Sequence, residues 1–186
     1  MRWQLMLAVL LVTGCSGGTT PAGQPAAAGA TGGRAGAPAG ATAGERCAAF
    51  VANGLAVAQR TRAELREEFG APDTVIARTE PNRHVPGATD SLFAVRYPGL
   101  TVEIRKPASG GDMAERVTVT YPRNLTYAEP GIGARETRVV ELLGEPTTRE
   151  TGRLTYECGT GPAPPRVSFV IENAAVSEVV FAFYVD

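Results

Sequence analysis

Twice along this chain a large apolar residue is followed by glycine, one further residue and proline: Phe69-Gly70-Ala71-Pro72 and Leu143-Gly144-Glu145-Pro146. Glycine takes the left-handed conformation that ends a helix, and proline two residues on blocks its continuation. The residues before each ending repeat at helical spacing, Leu65 with Phe69 and Val139 with Leu143, so each pair lies on one stripe of a helix. Thr61 with Glu64 has the spacing of a capping box and opens the first helix. The second is expected to run from Arg135 to Gly144. A third, N-terminal helix is read from Phe50, Val51, Leu55 and Ala58 over Cys47–Gln59, with Gly54 counting against it.

After each glycine the period changes from helical to alternating. In the first half Thr74–Ala77, Leu92–Tyr97, Leu100–Arg105 and Arg116–Tyr121 read as strands. In the second half Arg153–Cys158, Arg166–Ile171 and Val176–Val185 do. Phe93, Val95, Tyr97, Val102, Ile104, Val117, Val119 and Tyr121 fall on one face. Ala94, Arg96, Thr101, Glu103, Arg105, Thr118 and Thr120 fall on the other, joined by Val180, Ala182 and Tyr184 from the last strand. One apolar and one polar face is the signature of an antiparallel sheet covered on one side. The expected fold is α+β: two tandem helix-then-antiparallel-strand repeats, about residues 46–127 and 128–186, forming one sheet with helices packed on one face.

The N-terminal residues have a different character. Met1-Arg2 precedes an apolar run from Leu5 to Val12, and Leu11-Val12-Thr13-Gly14-Cys15 resembles the bacterial lipobox, in which the cysteine is acylated and becomes the new N-terminus. Residues 1–14 are therefore expected to be a lipoprotein signal peptide and Cys15 the lipidation site. Ser16 in place of aspartate points to delivery to the outer membrane in a double-membraned bacterium. Residues 15–45, almost wholly glycine, alanine, proline and threonine after the cysteine, read as a tether with a span of roughly 30 Å as a flexible coil. The folded module is expected over 46–186. With Cys15 lipidated, Cys47 and Cys158 remain as an even pair in an oxidising compartment, and a disulfide between them is expected over free thiols or a metal pair.

Composition narrows function by exclusion. Loss of residues 1–14 removes Arg2 alone and leaves 17 basic against 19 acidic residues, too balanced to favour nucleic acid. His84 is the single histidine and sits in a loop-like stretch, so no metal site is expected. No Gly-x-Ser-x-Gly, His-Glu-x-x-His or phosphate-loop motif is present, and the only lysine is Lys106. Gly131-Ile132-Gly133 reads as a loop hinge and Glu67-Glu68 as the solvated side of a helix. The reading is of a non-catalytic protein with neither a cofactor nor a small-molecule substrate.

Helix, Leu143-Gly144-Glu145-Pro146, the aromatic-bearing Leu154-Thr155-Tyr156 and then Val167-Ser168-Phe169 together resemble the SmpA/OmlA (BamE-like) lipoprotein domain. Two such units in tandem resemble the fold of the β-lactamase-inhibitor proteins. The resemblance implies a protein-binding scaffold whose open sheet face grips a partner, with Arg96, Arg105 and Tyr184 as its anchors. The function expected is a membrane-anchored envelope lipoprotein, held to the bilayer through Cys15 with its domain facing the periplasm, serving outer-membrane protein assembly or envelope maintenance. The alternative is a tethered inhibitor or sensor of a soluble periplasmic enzyme.

Overall fold

A computed structural model describes residues 40–82, 84–122, 129–160 and 162–183. Cys15 and Tyr184 lie outside the described residues, as does nearly all of the expected tether. The described residues are α+β, with three helices and one open eight-stranded antiparallel sheet.

Helix α1 (Ala43–Ala58) begins three residues inside the stretch expected to be tether, because Thr42 and Glu45 form a capping box of their own. The Thr42 hydroxyl accepts from the Glu45 backbone N–H, and the Glu45 carboxylate accepts from the Thr42 N–H at 2.7 Å. Its inner face buries Cys47, Phe50, Val51, Gly54, Val57 and Ala58, and the Phe50 ring lies 5.5 Å from both Phe169 and Phe181. Gly54 is required there by packing: a β-carbon on it would lie 2.4–2.7 Å from three atoms of the Phe181 ring, well inside van der Waals contact. Helix propensity and core packing conflict at this position, and packing prevails.

Helix α2 (Arg62–Phe69) opens on the Thr61–Glu64 capping box and buries Leu65 completely, while Phe69 tilts against Tyr97. Helix α3 (Glu136–Leu143) buries Val139 and Leu143. Both expected helix ends occur, with Gly70 and Gly144 at φ of 82° and 83° and each glycine N–H donating to the carbonyl four residues back.

The strands are β1 (Thr74–Pro81), β2 (Thr89–Tyr97), β3 (Leu100–Lys106), β4 (Met113–Val119), β5 (Thr148–Glu150), β6 (Arg153–Glu157), β7 (Arg166–Glu172) and β8 (Ala175–Ala182). Their spatial order is β1-β2-β3-β4-β8-β7-β6-β5, so β4 and β8 meet at the centre, Val117 opposite Phe181 and Val119 opposite Val179. Val102, Val117, Val119, Val167, Phe169, Val179 and Phe181 are wholly buried on the face that α1 covers.

Most strand boundaries differ from the sequence reading; the last strand, expected over Val176–Val185, runs Ala175–Ala182. β1 runs on past the expected Ala77 to Pro81 and β2 begins at Thr89 rather than Leu92, because Glu80 pairs with Asp90 and the Asn82 amide donates to the Asp90 carboxylate at 2.8 Å. β4 starts at Met113, since a register shift between Glu103 and Ile104 draws Met113 and Ala114 into the ladder; it stops at Val119, opposite the first residue of β3, so Tyr121, expected on the inner face, lies beyond the strand and is exposed. β5 was not expected; three residues are too few to show a period, and it forms by folding back on β6 around Thr151-Gly152.

Cys47 and Cys158 are joined by a disulfide, with Cα atoms 5.2 Å apart. Around it the Tyr156 hydroxyl donates to the Gly144 carbonyl at 3.1 Å, and the Arg46 guanidinium donates to the carbonyls of Leu142 and Ala41. The start of α1, the end of α3 and the end of β6 are thereby fastened together at one place.

Candidate binding surface

The sheet face turned away from the helices is built by strand alternation alone. One register row crosses all eight strands: Thr74, Arg96, Thr101, Thr118, Val180, Ser168, Thr155 and Thr148. Only Arg96 in this row has a long side chain, and the Thr155 and Ser168 hydroxyls share a hydrogen bond at 2.9 Å. The neighbouring row carries Ile76, Ala94, Glu103, Arg116, Ala182, Arg166 and Glu157. Charges in that row pair within the face, Arg166 with Glu157 at 2.9 Å and Arg116 with Glu103 at 3.8 Å. Exposed pairs of this kind contribute little to stability, but they cancel the charge of this row.

Arg96 is exposed, and among the described residues no carboxylate lies within ion-pairing distance of it; half-buried Arg153, beside Thr155 on β6, is likewise without one. Arg96 borders a shallow depression of about 210 Å³ over β1–β4 that Ile76, Arg78, Leu92, Ala94 and Glu103 also line. A free guanidinium beside apolar side chains suits a carboxylate next to an apolar group.

Arg105, the second expected anchor, has a different part. Its side chain is 16 % exposed and bound to Asp90 at 3.1 Å, to Glu80 at 3.6 Å and to Glu115. The hydrogen bond to Glu115 does most to raise its pKa above the usual arginine value, with Asp90 adding to it. One cation thus ties β1, β2 and β4 to β3. Asp90 is correspondingly held below the ordinary aspartate range, first by the Asn82 amide and then by Arg105. The tie was not legible in sequence, because its four members come from four strands and meet only through register.

Other motifs take structural places. Gly133 donates to the Val176 carbonyl and Val176 to that of Ala134, so the Gly131-Ile132-Gly133 stretch is laid against the start of β8. Glu68 pairs with Arg60, and the His84 backbone N–H is held by the Asn82 side chain. Among the described residues no group of three or more His, Cys, Asp or Glu is placed to hold a metal ion, and no helix is long and apolar enough to cross a membrane. No family model matches this chain, and neither a curated protein nor a solved structure matches it.

Proposed function

We propose that this is a lipid-anchored envelope protein whose folded module binds another protein through its open sheet face. The observation that carries the reading is Arg96, an exposed guanidinium with no ion-pair partner among the described residues, beside a shallow depression that Ile76, Leu92 and Ala94 help to line. The Leu11–Cys15 motif supports anchoring through acylated Cys15, with the module on the periplasmic side of the outer membrane. The meeting of β1–β4 with β8–β5 at the centre of the sheet supports two helix-then-strand units in tandem. That arrangement supports the kinship with SmpA/OmlA-type and β-lactamase-inhibitor-type domains. The role is scaffolding or modulation of an outer-membrane assembly, without catalysis or a cofactor. Tyr184, two residues beyond β8, is a further anchor of this reading.

The test is capture from solubilised envelope and, separately, from soluble periplasm with the full chain, with Arg96→Ala beside it. A stoichiometric membrane protein lost with Arg96→Ala supports the reading. A soluble enzyme lost in the same way replaces scaffold by tethered inhibitor or sensor. Captures unchanged by Arg96→Ala overturn the assignment of this face.

A further inference from the structure

The two edges of the sheet are unlike. β5 has three residues, the short kind of edge that resists pairing with other chains. β1 has eight, of which seven are exposed, including Val75 at 50 % and Ile76 at 44 % on opposite faces. Among the described residues only β2 is hydrogen-bonded to β1 in the sheet. The outward-facing groups follow from register. Pro81 stands opposite Thr89, and Asn82 donates to the Ala88 carbonyl, so the even-numbered residues of β1 bond to β2. Val75, Ala77 and Thr79 therefore present N–H and C=O groups to the outside.

We propose that β1 takes an added strand from a partner protein, and that the segment it selects reads acidic–x–apolar–x–acidic with apolar residues between. This deepens the binding role proposed above and rests on it. The pattern follows from what an added strand would meet on the open face. Opposite Ile76 an apolar side chain is favoured, and opposite Arg78, whose side chain is 65 % exposed, a carboxylate. On the other side of Ile76 is Thr74, short and directly opposite Arg96 in register. The free Arg96 guanidinium can pass over it toward a strand lying about 10 Å from β2, two strand spacings away. Two cations thus flank one apolar residue, and the pattern reads the same in either strand direction. The intervening positions face Val75 and Ala77 and favour apolar side chains. Nearby acids do not cancel this, because Glu80 is shared between Arg78 and Arg105, Glu115 is bound to Arg105, and Glu103 faces Arg116.

The probe is a fluorescein-labelled peptide of glutamate, three valines and glutamate flanked by threonines, titrated against the detergent-solubilised full chain. A second peptide replaces both glutamates by lysine. The glutamate peptide is expected to bind at least tenfold more tightly than the lysine peptide. Ala77→Pro removes an outward N–H while leaving the ladder to β2 intact, and Arg78→Ala removes one cation; each is expected to weaken binding at least tenfold. Unfolding curves show whether Ala77→Pro still folds, and Arg78→Ala decides if it does not. Equal binding of the two peptides, no binding, or indifference to a folded Ala77→Pro overturns the proposal. So does a dimer in sedimentation that Ala77→Pro dissociates, since a second copy would then hold the edge. Failure here with a partner still captured through Arg96 leaves the wider binding role standing.

Discussion

Gly54 and Gly44 lie in the same helix and answer to opposite rules. Gly44 has open space where a β-carbon would go, whereas Gly54 is overlaid by the Phe181 ring. Gly44→Ala is expected to raise stability by about 0.5–1 kcal/mol through helix propensity alone. Gly54→Ala is expected to lower it by about 1–3 kcal/mol, because the ring must move in a close-packed core. Denaturant unfolding of both variants checks the opposite signs. Tyr156 is the second residue whose neighbours decide its chemistry. Burial against Phe169 pushes its hydroxyl from the usual value up to about 12, with the proton held toward the Gly144 carbonyl. A raised folded pKa gives stability that is whole below the unfolded value near 10 and lost as pH rises toward the folded one. The melting temperature is therefore expected to fall between about pH 10 and about 12. Tyr156→Phe is expected to flatten that fall. Asp90 works in the other direction. Its lowered carboxyl gives stability present above the ordinary aspartate range and lost on acidification through the folded value, and Asp90→Asn should remove that part of the acid limb.

Helices and strands differ in how much surrounds them. α1 is held by a capping box, a disulfide at Cys47 and stacking of Phe50 on two rings of the sheet. Thr42→Ala removes one cap and is expected to lower stability by about 1 kcal/mol, read by chemical denaturation. The same signal, a threonine three residues before a glutamate, opens both α1 and α2, so the earlier start of α1 was legible at Thr42-Ala43-Gly44-Glu45. The glycine-rich residues before it obscured it, since composition there argues for a tether. β1 stands at the other extreme, with β2 on one side and an open edge on the other. Its alternating register predicts alternating hydrogen exchange, fast at the outward Val75, Ala77 and Thr79 and slower at Ile76, Arg78 and Glu80. Uniform exchange along β1 would contradict that register.

Over the whole molecule the Cys47–Cys158 disulfide spans a sequence separation of 111 residues and joins the first helix to the second half of the sheet. Replacing both cysteines by serine is expected to lower stability by about 2–5 kcal/mol, measured against the oxidised protein in denaturant. The sequence by itself determined the helices that end at Gly70 and Gly144 and the alternation that divides the strands into two faces. Each of these is local and so is written into neighbouring residues. Only the tertiary structure decided which strand lies beside which, because hydrogen-bonded ladders join residues distant in sequence and any apolar strand pairs with another. That order set the separate fates of Arg96 and Arg105, which share a face and a residue type. Register brought three carboxylates to Arg105 and, among the described residues, none to Arg96, leaving the first as an internal tie and the second as an unpaired cation on the open face.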